Sequence, residues 1–230
     1  MRDSPVAGMR DIPPPVLPSG MTEHPEIENP RPRIFLLSPA STVGERARQL
    51  TSASARFGAA ERYRSPEGVT IGEAFSFMSS LYFRGKIGYA RHFTAPPPEL
   101  ALGSGDDGVL VIAPGFGLVP PGWRITPEEM KKLRRTPVDL KSRAYCAPMK
   151  RHVEQLRDHA PSAWFVLLGS VATGKYVDLL LPVLGDRLLF PRDFAGAGDM
   201  QRGGMMLRAV REDRELPYVT LAAPRRRARA

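Results

Sequence analysis

The chain has 230 residues, a net charge of +9 and one cysteine. That length suits one folded domain with or without tails, and one cysteine excludes an intramolecular disulfide and a cysteine-based zinc site. No apolar run reaches the roughly 20 residues of a membrane-spanning helix, and the N-terminus, with Arg2, Asp3, Arg10 and Asp11 among prolines, has no secretory apolar core, so a cytoplasmic protein with no membrane partner is expected.

The charge is unevenly spread. The arginines of segment 225–230 carry +4 and residues 1–30 carry −3, which leaves +8 on residues 31–224. A basic folded part favours an anionic partner, nucleic acid or a phosphorylated small molecule; an arginine-rich composition of genomic origin gives the same count. Residues 1–30, rich in proline and acid, are expected to be disordered. Residues 31–224 are expected to form a single domain, followed by a basic tail at 225–230.

Arg33-Ile34-Phe35-Leu36-Leu37 is a short apolar run of the kind found in buried parallel strands. It ends in a small polar loop in which Ser38, Ser41 and Thr42 can offer hydroxyls to a ligand, or Ser41 or Thr42 can cap a helix that holds Glu45. Residues 51–70 read as loop. Thr70 to Phe93 reads as a long helix whose stripe of Phe75, Met78 and Tyr82, joined by Phe77 and Leu81, is a core face rather than a base-stacking platform. Arg84, Lys86 and Arg91 follow in its second half, and Arg84 and Lys86 are candidates for phosphate contacts.

Val109-Leu110-Val111-Ile112 is a second strand. The run that follows, from Ala113 to Glu129, reads as a rigid glycine- and proline-bearing loop, with Gly115 and Gly117 placed to approach a ligand. Residues 147–159 read as a helix. Trp164-Phe165-Val166-Leu167-Leu168 is a third strand, which runs into Gly169-Ser170-Val171-Ala172-Thr173-Gly174-Lys175. Gly169, Gly174 and Lys175 match the first seven positions of a phosphate-cradling loop, while Tyr176 stands where a magnesium-binding hydroxyl belongs. A helix start after small residues accepts an anion, with Gly169, Ser170, Thr173, Gly174 and Lys175 as contacts; the plainer reading is a tight turn with Thr173 as the helix cap. Residues 188–190 suggest a last short strand, 191–208 a glycine-rich loop leading into a short helix with Arg202 facing the site, and 218–221 an edge strand.

Three apolar strands, each ending in a small-residue loop and separated by helical segments, define an α/β fold: a three-layer or open, mostly parallel sheet with flanking helices. The loops at 38–42, 113–118 and 169–175 are then expected to converge at the carboxyl ends of the strands. No cofactor and no metal site is expected.

Gly115-Phe116-Gly117-Leu118-Val119-Pro120 after a strand, then Arg124-Ile125-Thr126-Pro127, resembles a pattern of the YaaA-like peroxide-stress family and of related prokaryotic and phage domains. The strand, glycine, small loop, tyrosine and helix at 165–184, and the glycine-rich stretch at 196–204, are similar to the same group. Phe116 and Glu128 stand where that pattern usually has tyrosines. The resemblance implies an α/β fold and DNA binding tied to protection from oxidative damage.

The function expected is binding of nucleic acid or a nucleotide-like ligand at the strand ends, with Arg84, Lys86, Lys175 and Arg202 on phosphates. Two alternatives accompany it. One is an enzyme acting on a nucleobase or nucleoside through a carboxylate from among Glu45, Glu73, Asp178 and Asp199. The other is a degenerate P-loop protein.

Overall fold

The computed structural model describes residues 21–23, 32–100, 103 and 105–221. Its centre is four adjacent parallel strands: β4 (Val109–Ala113), β2 (Arg33–Leu37), β7 (Trp164–Leu168) and β8 (Leu188–Pro191). Antiparallel strands extend both sides. β5 (Gly117–Val119) pairs with β4, while β9 (Tyr218–Leu221) and β1 (Met21–Glu23) extend the β8 side, giving the order β1-β9-β8-β7-β2-β4-β5. β7 is buried along its whole length and β2 along all but its first residue. Such strands need helices on both faces. α1 (Glu45–Thr51), α3 (Ile71–Phe93) and α7 (Asp199–Arg211) pack together, and α5 (Arg143–His159) packs with α6 (Val177–Leu184). The molecule is thus the expected α/β domain.

α3 begins where the sequence says it should. Thr70 Oγ1 accepts the Glu73 N–H and Glu73 Oε2 accepts the Thr70 N–H, a reciprocal cap that satisfies two backbone donors. The helix is interrupted once, at Ser80, whose φ of 44° and ψ of −115° are non-helical. Farther on, Gly85 and Gly203 let α3 and α7 approach closely: a Cβ on Gly203 would lie 3.0 Å from the Leu81 carbonyl oxygen, and one on Gly85 would lie 2.9 Å from the Gly203 oxygen. The glycines that weaken each helix alone are the ones that let the two meet.

Several local expectations need correction. Residues 51–70 hold α2 (Gly58–Arg64) and strand β3 (Val69–Thr70), which pairs with β6 (Arg124–Ile125). The rigid loop after β4 is a hairpin turn into β5, followed by β6 and α4 (Pro127–Arg135), which is capped by Thr126 and Glu129 with Pro127 in its first turn. α5 starts before residue 147, with Ser142 capping the Tyr145 N–H. Part of the glycine-rich 191–208 segment, from Asp199, is already helix α7. β9 is not an edge strand, because Met21–Glu23 pairs along it. Those three residues were expected to be unstructured; the rest of segment 1–30, and the tail 225–230, lie outside the described residues. Among the described residues no helix is long and apolar enough to cross a membrane.

Candidate ligand site at the strand ends

β2 and β7 lie side by side, with Leu37 opposite Leu168. From β2 the chain moves outward to β4 on one side; from β7 it moves outward to β8 and β9 on the other. The strand order therefore reverses between β2 and β7, and in open parallel sheets the carboxyl ends at such a reversal form the ligand crevice. Ser38 follows β2 there and Gly169 follows β7. They touch, since a Cβ on Gly169 would lie 3.0 Å from Ser38 Cβ and 3.3 Å from its Oγ.

Lys86 reaches the same point from α3. Its side chain is fully buried, Nζ donates to the Ser38 carbonyl oxygen at 2.6 Å, and Nζ lies 3.0 Å from Ser38 Oγ. The ammonium lies 4.3 Å from the Tyr82 ring centroid and 4.9 Å from that of Phe83. Burial drives this amine down to about 7; the Asp199 carboxylate pulls the other way, and the Arg202 cation adds to the depression.

Arg202 is also buried. Its Nε and Nη2 donate to the Phe194 carbonyl oxygen at 3.2 and 3.0 Å, and its Nη1 lies 3.9 Å from Asp199 Oδ1. The Asp199 side chain is 70% exposed. Two interior cations thus face one carboxylate at the surface, a balance that costs folding free energy unless an anion completes it. Between them stands Tyr82, whose buried hydroxyl makes no hydrogen bond among the described residues, although the Arg202 guanidinium is near enough to act on it electrostatically. Burial raises the Tyr82 pKa and Arg202 opposes the rise, so the hydroxyl stays protonated. Tyr176 is a second buried aromatic wall; burial raises its pKa, and the electrostatic influence of Tyr82 and Asp199 places it in the same cluster.

The residues expected at this site divide into two groups. Ser38 and Gly169 converge with Lys86 and Arg202. Lys86 and Arg202, expected as phosphate contacts, are both interior groups. Arg84 is exposed and donates to the Ser80 carbonyl oxygen. Gly115 and Gly117, with φ of +86° and +90°, shape the β4–β5 turn; a side chain at Gly117 would strike His152 and Pro148, and one at Gly115 would strike Thr136. They serve packing against α5 and the end of α4. Ser41 is exposed, the Thr42 carbonyl oxygen accepts from Arg134, and the cap of α1 is Gly44, not Ser41 or Thr42.

The 169–175 turn also departs from a phosphate cradle. α6 starts at Val177 with Tyr176 at its cap position, so Thr173 is no cap and lies exposed. The Asp178 carboxylate lies against Gly174, 2.6 Å from where a Cβ would be, so the turn carries a negative charge of its own beside the glycine. Ser170 Oγ accepts from the Ala172 N–H. The Lys175 ammonium lies 5.3 Å from the Tyr176 ring centroid, while its carbonyl oxygen accepts from Tyr145 Oη.

The candidate carboxylates are likewise accounted for. Glu45 pairs with Arg48 on the surface and Glu73 with Thr70 and Arg62, leaving Asp199 at the margin of the cluster. Among the described residues no three His, Cys, Asp or Glu side chains cluster to hold a metal. Tyr82 and Tyr176 were legible only as a core residue and as a motif mismatch. One signal for the site was present in the sequence: the apolar stripe of Phe75, Met78 and Tyr82, continued by four residues, lands on Lys86. No protein-family model, curated protein or solved structure matches this chain.

Proposed function

We propose that this protein binds a nucleotide-like ligand at the carboxyl ends of β2 and β7, with the ligand's phosphate or other acidic group held by Lys86 and Arg202. The observation that carries this reading is the pair of buried cations set against one largely exposed carboxylate at the sheet's reversal point. The unpartnered Tyr82 hydroxyl supplies a further donor, and the +8 charge on residues 31–224 favours the approach of an anion. The resemblance to the YaaA-like family and a cytoplasmic setting belong to the same reading.

Thermal-shift titration of the full chain tests it, with nucleosides and nucleoside phosphates, each with and without Mg²⁺. A ligand at a hundred times its Kd stabilises by about 2.7 kcal/mol. Phosphorylated ligands should raise Tm where the parent nucleosides do not, and Lys86→Met should abolish the shift. A set of phosphorylated ligands that all leave Tm unchanged overturns the reading.

A second reading is favoured by the electrostatic coupling of Lys86 to Asp199. An amine near neutrality beside a carboxylate can serve as general base and acid, as an enzyme acting on a nucleobase or nucleoside requires. Release of free base from nucleosides or nucleotides, lost in Asp199→Asn, would support it.

A further inference from the structure

The first half of α3 forms, with α1 and the loop between α1 and α2, a groove of about 490 Å³ lined by Gln49, Ser52, Ser54, Ala55, Phe57 and Phe77. That volume lies within the range of ligand-binding clefts, roughly 300–1,000 Å³. Its wall is aromatic: the Phe57 and Phe77 rings stack with centroids 4.9 Å apart and planes 24° from parallel. Phe77 belongs to the stripe read as core, yet both rings remain only partly buried.

The rim is basic in a specific way. Arg46 donates to the Phe77 carbonyl oxygen, Arg56 to that of Ala55, and Arg64 to those of Ser52 and Ala55. Each of the three guanidiniums is therefore fixed to a backbone oxygen of a residue that lines the groove. Among the described residues none of them has a carboxylate within ion-pairing distance, whereas the neighbouring Arg48 and Arg62 are paired with Glu45 and Glu73. Arg46 also lies 5.9 Å from the Phe77 ring centroid.

We infer that this groove docks single-stranded nucleic acid, with a base packed against the Phe57–Phe77 wall and phosphates on Arg46, Arg56 and Arg64. Base-to-aromatic stacking beside a positive track is how single strands are held without sequence readout. Three such cations around one aromatic groove match a run of phosphates better than the single acidic group of a mononucleotide. The surface is separate from the Lys86–Arg202 cluster and does not depend on that cluster's ligand.

Fluorescence anisotropy of the full chain with a labelled 15-nucleotide oligothymidylate tests the inference, against an abasic strand of equal length and a 15-base-pair duplex. Oligothymidylate should bind at least fivefold more tightly than either control. Phe77→Ala should remove most of that preference, and Arg46→Glu should weaken binding and lower the salt slope by about 0.7 for each phosphate no longer engaged. Arg46→Glu tests the groove even where Phe77→Ala unfolds the protein. Lys86→Met should leave oligothymidylate binding unchanged, so that failure of the groove and failure of the strand-end site are told apart. Equal affinity for the abasic strand, tighter binding of the duplex, or no effect of Arg46→Glu overturns the proposal.

Discussion

Lys86 and Ser38, 48 residues apart in sequence, meet at the end of the central strand, where the buried lysine ammonium donates to the serine carbonyl oxygen at 2.6 Å. The contact ties the middle of α3 to the point where the sheet reverses. It also puts a titratable group in the interior, with consequences for stability that can be measured.

In the unfolded chain the Lys86 amine has its ordinary value of 10.5, and in the folded chain about 7. Between those values the unfolded state binds a proton that the folded state has lost, so stability rises with pH across that window. The burial cost is fully present below 7 and is relieved as pH approaches 10.5. In urea unfolding at pH 7, 8 and 9, the wild type should gain on Lys86→Met by up to about 1.4 kcal/mol per pH unit. Parallel pH profiles for the two proteins would show that the amine is not desolvated. An anion bound beside Lys86 reverses the depression, so ligand binding above pH 7 should be accompanied by proton uptake. Calorimetry in buffers of different ionisation enthalpy reads that directly.

Tyr82 carries the opposite expectation to most buried tyrosines. Its hydroxyl is buried without a hydrogen bond among the described residues, and such a group costs about 1–3 kcal/mol. Tyr82→Phe should therefore stabilise the unliganded protein by roughly 1 kcal/mol while weakening the phosphorylated ligand. A loss of stability on that substitution would mean that the hydroxyl is already satisfied.

The α3–α7 contact was hard to foresee because its determinant is the absence of side chains. Gly85 and Gly203 read in sequence as helix-weakening residues, and only the approach of two backbones shows why they are glycine. A Cβ at either position meets backbone atoms at 2.9–3.1 Å, so Gly85→Ala and Gly203→Ala should each destabilise by about 1–3 kcal/mol. Gly88 in the same helix differs, because a Cβ there would meet nothing within 4 Å, and Gly88→Ala should stabilise by roughly 0.5–1 kcal/mol. Thermal melts of the three variants check both signs.

The strands were legible because β2, β4 and β7 are continuous apolar runs that only a doubly covered sheet can bury. The crevice followed from them, since Ser38 and Gly169 are simply the residues after two of those runs. Lys86 was legible as a residue but not as an interior one: among the basic side chains of α3 it looks like Arg84, and only the helical phase separates them. The 169–175 stretch misled in the other direction. Its glycines fit a phosphate cradle in spacing, but the path of the chain brings Asp178 against Gly174 and delays the helix to Val177. Spacing records which residues are near in sequence, and the carboxylate's position depends on the turn that the spacing leaves open.

A hydrogen-bond chain joins α3 to β9. The Leu216 N–H donates to Tyr89 Oη at 2.8 Å, Tyr89 and Tyr218 hydroxyls lie 2.7 Å apart, and Tyr218 Oη donates to Glu215 at 2.7 Å. Since Tyr218 gives its proton to the carboxylate, Tyr89 must be the donor between the two rings. Burial raises both hydroxyl pKa values, which keeps both protons in place, and Arg33 closes the chain with an ion pair to Glu215 at 3.2 Å. Tyr218→Phe strands the Tyr89 proton and removes a donor from a carboxylate whose pKa burial already raises. Tyr89→Phe strands the Leu216 N–H and leaves Tyr218 without the donor it accepts from. Each substitution should cost about 1–3 kcal/mol, the penalty of a buried polar group left unpaired. The double variant removes both hydroxyls together, so its cost should fall short of the sum, by roughly 0.5–3 kcal/mol for residues in one network. Additive losses in a double-mutant cycle by chemical denaturation would show that the two hydroxyls act separately.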